Sequence, residues 1–274
     1  MTDKWVHIDR TDRTFYLENI QGLYFLDQTL EDPTVSNAGI QLQGVDGLLP
    51  IKNTYAPLAL KLRFFYEGKD VADNQLMMKD LRNIFHCEEP YIVRHSEMPG
   101  LRYLVSNCLI EQEAQSLYDY VFTITCNVYK GYTESFGTTL NPLTFEEEKW
   151  QVGLDLPVGE DLPYVFTSKS FKVYNASSIK VNPVLRHQLE VAMTCEGTPR
   201  ITNRTTSDTF EYKKSLKKAD TLYIQGVYPF VNNQHAGVNT NHGVITLAPG
   251  WNEFEITGAD NINIAFNFRF IYRG

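Results

Sequence analysis

From Ile262 to Tyr272 the chain alternates without a slip: Ile262, Ile264, Phe266, Phe268, Phe270 and Tyr272 interleave with Asn263, Ala265, Asn267, Arg269 and Ile271. Successive side chains of a strand point to opposite faces, so a strict period of two with one face so apolar describes a β-strand laid on a core. The same rhythm runs through Tyr118, Tyr120, Phe122, Ile124, Cys126 and Val128, with Asp119, Thr123, Thr125 and Asn127 opposite. The 16 Tyr and 16 Phe are strand formers, and the 17 Gly and 12 Pro supply turns. The chain is predicted to be mostly β.

Its 274 residues suit two domains of about 130 to 150 residues, each able to bury its own core. In the first half, GIQLQGVDGLLP (Gly39 to Pro50) and APLALKLRFFYEGKD (Ala56 to Asp70) have the pattern of short strands. One segment departs from that rhythm. In VADNQLMMKDLRNIF, Asp73 is expected to cap a helix whose Met77, Leu81, Ile84 and Phe85 form one stripe. That stripe fits packing on a sheet better than a Met-lined binding groove. Pro99-Gly100 suits the centre of a type II turn, giving a long hairpin followed by the alternating third strand.

Between Leu140 and Pro163 the alternation stops, three prolines appear and Glu146 to Glu148 form an acidic run, read as a solvated face or a helix start. The predicted organisation is therefore an N-terminal α+β domain over 1–140, with one helix and a long hairpin, a linker over 141–163, and a C-terminal antiparallel β-sandwich over 164–274. The sandwich strands are expected in FTSKSFKVYN, VLRHQLEVAMTC, TLYIQGVYPF, GVITL, NEFEIT and INIAFNFRFIYR.

Several function classes lack their residues. No apolar run approaches 18 residues and the first 13 carry Asp3, Asp9 and Asp12, so neither a membrane span nor a signal peptide is expected. Cys87, Cys108, Cys126 and Cys195 are far apart in sequence and are read as reduced core residues. Without an export signal, the N-x-S/T matches at Asn175 and Asn203 carry little weight.

Residues 1–140 carry 12 Lys+Arg against 19 Asp+Glu, and residues 141–274 carry 13 against 14. An acidic balance cannot displace counterions from phosphates, which argues against tight DNA binding. Lys213, Lys214, Lys217 and Lys218 lie beside Glu211 and Asp220 without interleaved aromatics and are read as a solvated edge. His235 and His242 are the one near pair of histidines, in a loop offering only Asn and Gln beside them, and His86, Cys87, Glu88 and Glu89 are adjacent rather than convergent. No metal site is expected. GxSxG, HExxH, P-loop and GxGxxG patterns are absent, so no catalytic residue and no cofactor is assigned and the chain is not expected to be an enzyme. Glycosidase carboxylates, which leave no short motif, are the remaining catalytic option.

Two features point outward instead. A long hairpin leaves unpaired backbone groups along its edge, which a neighbouring chain can pair with or the same chain can cover. Trp251 follows the Ala248-Pro249-Gly250 turn on the face of Glu253 and Glu255, opposite Phe254 and Ile256. An exposed Trp there serves either as a stacking platform for a sugar or as a strut against the sandwich edge or another subunit.

The order of these pieces is familiar. FFYEGKDVADNQLMMKDLRNIFHCEEPYIVRHSEMPGLRYLVS resembles the N-terminal domain of the distal tail proteins of long-tailed, non-contractile bacteriophages, and PGWNEFEITG with IAFNFRFIYR resembles their galectin-like C-terminal ending. The resemblance implies a virion protein of the tail tip, made in the bacterial host cytoplasm. It implies a hexameric ring that joins the tail tube protein to the tail-associated lysin or fibre, carries receptor-binding proteins outside, and lets genomic DNA pass without specific binding. On that basis the oligomer interface is expected on Tyr91, Ile92, Val93, Leu101, Tyr103, Leu104 and Val105. The alternative is a carbohydrate-binding β-sandwich module recognising host cell-wall polysaccharide, with Trp251 as its contact.

Overall fold

A computed structural model of the protein describes residues 4–36, 39–50, 53–115, 118–142, 149–157 and 162–273. The acidic run at Glu146 to Glu148 lies outside them. The chain divides into two compact units, one of Met1–Glu134 with Arg273–Gly274 and one of Ser135–Tyr272.

The first unit contains β1 (Val6–Asp9), β2 (Thr14–Tyr16), β3 (Leu23–Leu30), β4 (Val35–Ser36), β5 (Thr54–Tyr55), β6 (Leu58–Glu67), α1 (Val71–Phe85), β7 (Tyr91–His95), β8 (Leu101–Gln115), β9 (Asp119–Val128) and all but the last residue of β10 (Thr133–Ser135). Its main sheet runs β2-β1-β7-β8-β9-β6-β3, and each pairing along it is antiparallel. The predicted alternation holds from Tyr120 on, with Tyr120, Phe122, Ile124, Cys126 and Val128 buried and facing Leu58, Leu60, Leu62 and Phe64 from β6, while Tyr118, expected on the same face, precedes β9 and is exposed.

Helix α1 packs the stripe of Met77, Leu81, Ile84 and Phe85 inward. Its cap is Asp70, however, and not Asp73. The Asp70 carboxylate accepts the Asp73 N–H at 2.8 Å, while the Asp73 carboxylate reaches back to the Lys69 N–H and the Tyr66 hydroxyl, both at 3.0 Å. Two acidic residues three apart each satisfy a donor near the helix start, so either one read alone resembles a cap.

Gly39 to Pro50 does not form the predicted strands. One bridge, Ile40 to Leu49, joins its two sides, and the tip turns at Gly44 and Gly47, both with positive φ. With β4 and β5 at its root it makes a narrow arm whose Ile40, Leu42, Val45, Leu48 and Leu49 stay largely exposed.

The second unit contains β11 (Val165–Phe166), β12 (Ser170–Asn175), β13 (Leu189–Asn203), β14 (Asp208–Glu211), β15 (Thr221–Gln225), β16 (Tyr228–Val231), β17 (Gln234–His235), β18 (Gly250–Phe268) and β19 (Ile271–Tyr272). NEFEIT and INIAFNF are one strand of 19 residues, β18, and GVITL contributes only the bridge from Leu247 to Val181. Strand β18 pairs with β13 along most of its length, interrupted by register shifts at Thr194/Glu196 and Gly197/Arg200. These shifts fall where Gly197, Gly258 and Asn261 take positive φ.

The ring centroids of Phe254 and Phe266, both on β18, are 4.9 Å apart. Twelve residues of straight strand would separate them by about 40 Å. The sheet therefore folds over on itself at these bulges, and its two halves enclose Phe166, Phe171, Phe254 and Phe266 as one aromatic cluster. Trp150, Leu154 and Leu162, from the stretch read as a linker, are buried within this unit. Trp150 packs on Phe270 and donates its indole N–H to the Pro142 carbonyl at 3.0 Å.

Candidate functional site

The β7–β8 hairpin turns where the sequence places it, the Met98 carbonyl accepting the Leu101 N–H at 3.1 Å with Pro99 and Gly100 between, but Gly100 does not take the positive φ that a type II turn requires. Its side chains divide cleanly. Tyr91, Val93, Leu101, Tyr103 and Val105 are buried in the core of their own unit, and Ile92 and Leu104 lie opposite one another on the other face, half-buried. The backbone edges divide differently. Strand β7 is paired on both sides, by β1 and by β8, so it offers no bare edge.

The long ribbon is β8 with β9. On its outer side β8 pairs with β7 only through Tyr103, Leu104 and Val105. Past Val105, Asn107 faces the 86–90 loop across a cleft of about 710 Å³ lined also by Arg10, Asp12 and Asn83. Among the described residues, β8 has no strand partner on that side from Leu109 to Glu111, and Leu109 is 56% exposed. At the far end of the sheet β3 pairs only with β6 and presents a second edge, with Tyr24 exposed beside it. The sequence places the subunit contact on both arms of the hairpin between Tyr91 and Val105, whereas the bare stretch of the second arm lies beyond Val105. The signal that reveals this is length: β7 has five residues and β8 fifteen, so most of β8 outruns its partner.

Buried polar groups fix the root of the ribbon. Glu134 is 1% exposed; its Oε2 accepts from Arg102 and its Oε1 from Lys130 Nζ at 2.7 Å. Burial alone would raise its pKa, but Arg102 and Lys130 outweigh it and the carboxylate sits below its usual range. His95 is fully buried, its ring stacked on Tyr103 with Nε2 at 3.2 Å from the tyrosine hydroxyl. Desolvation lowers its pKa to about 4, so the ring is neutral.

In the second unit, Trp251 lies where the register predicts, on the face of Glu253 and Glu255, while Asn252, Phe254 and Ile256 point inward. It is 42% exposed and leans edgewise on Tyr174 at 5.0 Å. The turn before it is held by buried asparagines. Asn252 accepts the Ala248 N–H and donates to the Ala248 and Gly250 carbonyls, at 2.8 to 3.0 Å. Asn203 donates to the Thr246 carbonyl at 2.7 Å, and Asn175 to those of Leu247 and Ala248. Both N-x-S/T asparagines are thus buried struts.

The remaining candidates stay apart. His235 packs on Phe230 with ring centroids 4.3 Å apart and the planes tilted by 35°, and Lys213, Lys214, Lys217 and Lys218 are solvent-facing. Among the described residues no group of three or more His, Cys, Asp or Glu side chains is arranged to hold a metal ion. No helix among them is long and apolar enough to cross a membrane.

A family model described as the phage tail protein RIFT-related domain matches residues 22–126, the span from the start of β3 almost to the end of β9. The crystal structure of the SPP1 Dit protein, described as a paradigm of the hub adsorption apparatus in phages infecting Gram-positive bacteria, is similar with a TM-score of 0.66. The likeness covers 97% of this chain and 99% of that one at 12% identity. The chain has the fold of a phage distal tail protein. The activated, Ca-bound baseplate of phage P2 holds a chain similar at a TM-score of 0.43 and 9% identity, covering 97% of this chain and 98% of that one. No curated protein matches in sequence. The distal-tail resemblance read from the residues is thus met by the RIFT-related domain match and by the fold, and the expected mostly β class is met by the strand content.

Proposed function

We propose that this protein is a non-enzymatic structural hub of a phage tail tip, a virion component that closes into a hexameric ring. The ring joins the tail tube to a tail-associated lysin or fibre and carries receptor-binding proteins on its periphery. The observation that carries this reading is the likeness to SPP1 Dit along nearly the whole of both chains, together with the RIFT-related domain at residues 22–126.

The edges of the first unit support it. Head-to-tail closure needs two unlike surfaces on one protomer, and the distal part of β8 and the outer side of β3 are two such edges on one sheet. The β7–β8 hairpin contributes Ile92 and Leu104 to the subunit contact, backed from inside by Tyr91, Val93, Leu101, Tyr103 and Val105. The exposed arm at Ile40 to Leu49 adds apolar surface, of a kind that marks an interaction site. An acidic first half lets a duplex pass a channel without sticking. In this reading 1–140 builds the ring, 141–163 leads out of it and 164–274 is a galectin-like outer domain.

Light scattering after size-exclusion, over a wide concentration range, together with negatively stained images, tests the proposal. Annular particles of six copies are expected. A monomer that persists at high concentration and also fails to ring in the presence of tube protein would overturn it. The exposure of Trp251 favours one second reading, a carbohydrate-binding module. Cell-wall polysaccharide binding by a monomer, abolished in Trp251→Ala, would select that reading instead.

A further inference from the structure

Three of the four cysteines, distant in sequence, gather in the first unit. Cys108 on β8 and Cys126 on β9 are directly opposed partners in the antiparallel ladder and share the core-facing side. Cys87 belongs to the loop that faces Asn107 across the 710 Å³ cleft. The buried Tyr91 hydroxyl lies among all three, beside the Cys108 thiol but without a well-aligned hydrogen bond, and its pKa is pushed far up by burial first and then by Cys126, Cys108 and Cys87. All four cysteines are free thiols, Cys126 fully buried and Cys108 partly open to solvent.

We infer that Cys108 and Cys126 are a redox pair that forms a cross-strand disulfide when the protein meets a peroxide-class oxidant. Opposed residues of an antiparallel pair hold their Cβ atoms about 4.5 to 5.5 Å apart, and a disulfide needs about 3.5 to 4.5 Å. A local approach of about 1 Å closes the gap. The ladder has slack for it, because a register shift lies between Val105 and Asn107, immediately before Cys108.

The division of labour follows from exposure. Cys108, the accessible member, loses its proton and attacks the peroxide; the O–O bond breaks, one water leaves and a sulfenic acid remains on Sγ. Cys126, shielded from the oxidant but adjacent, then gives up its proton and attacks that sulfur. The S–O bond breaks, a second water leaves and the S–S bond forms. Two thiols and hydrogen peroxide yield one disulfide and two waters, the thiols losing two electrons to the peroxide. Burial raises the pKa of both thiols, so the reaction is slow and selects strong or prolonged oxidation.

The link joins β8 to β9 on either side of the ribbon end and fixes the register of the strand that carries the open edge at Leu109 to Glu111. The full-length protein, folded, is treated with excess hydrogen peroxide, quenched with an alkylating agent and digested without reductant. The expected result is an intact mass lower by two hydrogens before alkylation and, after alkylation in denaturant and digestion, one cross-linked peptide pair containing Cys108 and Cys126 with Cys87 and Cys195 alkylated. The same treatment should raise the melting temperature, and Cys126→Ser and Cys108→Ser should each leave no cross-link.

A Cys87–Cys108 link, over-oxidation of Cys108 with Cys126 still alkylated, or oxidation only after denaturation would each overturn the inference. The peptide map of the unaltered sequence decides the matter whether or not the variants fold. It is also independent of ring formation.

Discussion

Two residues show most directly how burial becomes a measurable property. His95 has its pKa lowered to about 4 by desolvation, with Nδ1 unpartnered, whereas an unfolded histidine takes up its proton near 6.5. Between these values the unfolded chain binds more protons than the folded one, so stability is complete above about 6.5 and falls as the pH drops toward 4. The loss is about 3 kcal/mol across the window. Denaturant unfolding at pH 7 and pH 4.5 should show it, and His95→Phe, which keeps a ring against Tyr103, should flatten the slope. Asn252 is the second case. Its amide satisfies three backbone groups of the turn before Trp251, so Asn252→Ala should cost about 2 kcal/mol by thermal or urea melting. Neither role could be read from sequence, because a buried polar residue inside an alternating run looks the same as an exposed one until its partners are known. Trp251 was legible for the opposite reason: its face follows from parity along the strand.

At the scale of the element, what alternation alone decides was readable and what depends on a distant partner was not. The helix stripe and the core face of β9 follow from period and polarity, and the structure has both. The cap was misplaced because Asp70 and Asp73 share the work. Asp70→Ala should remove about 1 kcal/mol of stability by denaturant melting, with Asp73 still holding Tyr66 and Lys69. The apolar arm at Ile40 to Leu49 read as strands because hydrophobicity implies burial only when something is there to bury it. The open edge lies on the hairpin's second arm but past Val105, the last residue expected at the interface, since pattern names the strands but not the length over which they pair. Leu109→Lys tests the reassigned edge: a charge on an exposed strand edge opposes pairing with another chain, so self-association should weaken while the melting temperature stays within a few degrees.

For the molecule as a whole, charge is the most legible property and partner identity the least. An excess of acidic residues, 33 against 25 basic, predicts no retardation of duplex DNA in a gel at physiological salt. A tight shift there would remove the passive-channel reading of the first unit while leaving its fold untouched. The folding order is constrained as well. Strand β18 is the seam that β11, β12 and β13 all pair with, and the Phe254–Phe266 contact closes the aromatic cluster across its own bend. Strands β13 to β17 can pair among themselves earlier, but until residue 268 has left the ribosome β11 and β12 lack their partner and the aromatic cluster cannot close. The first unit has all of β1 to β9 available more than a hundred residues earlier, so during synthesis the two are exposed to chaperones and proteases for very different lengths of time.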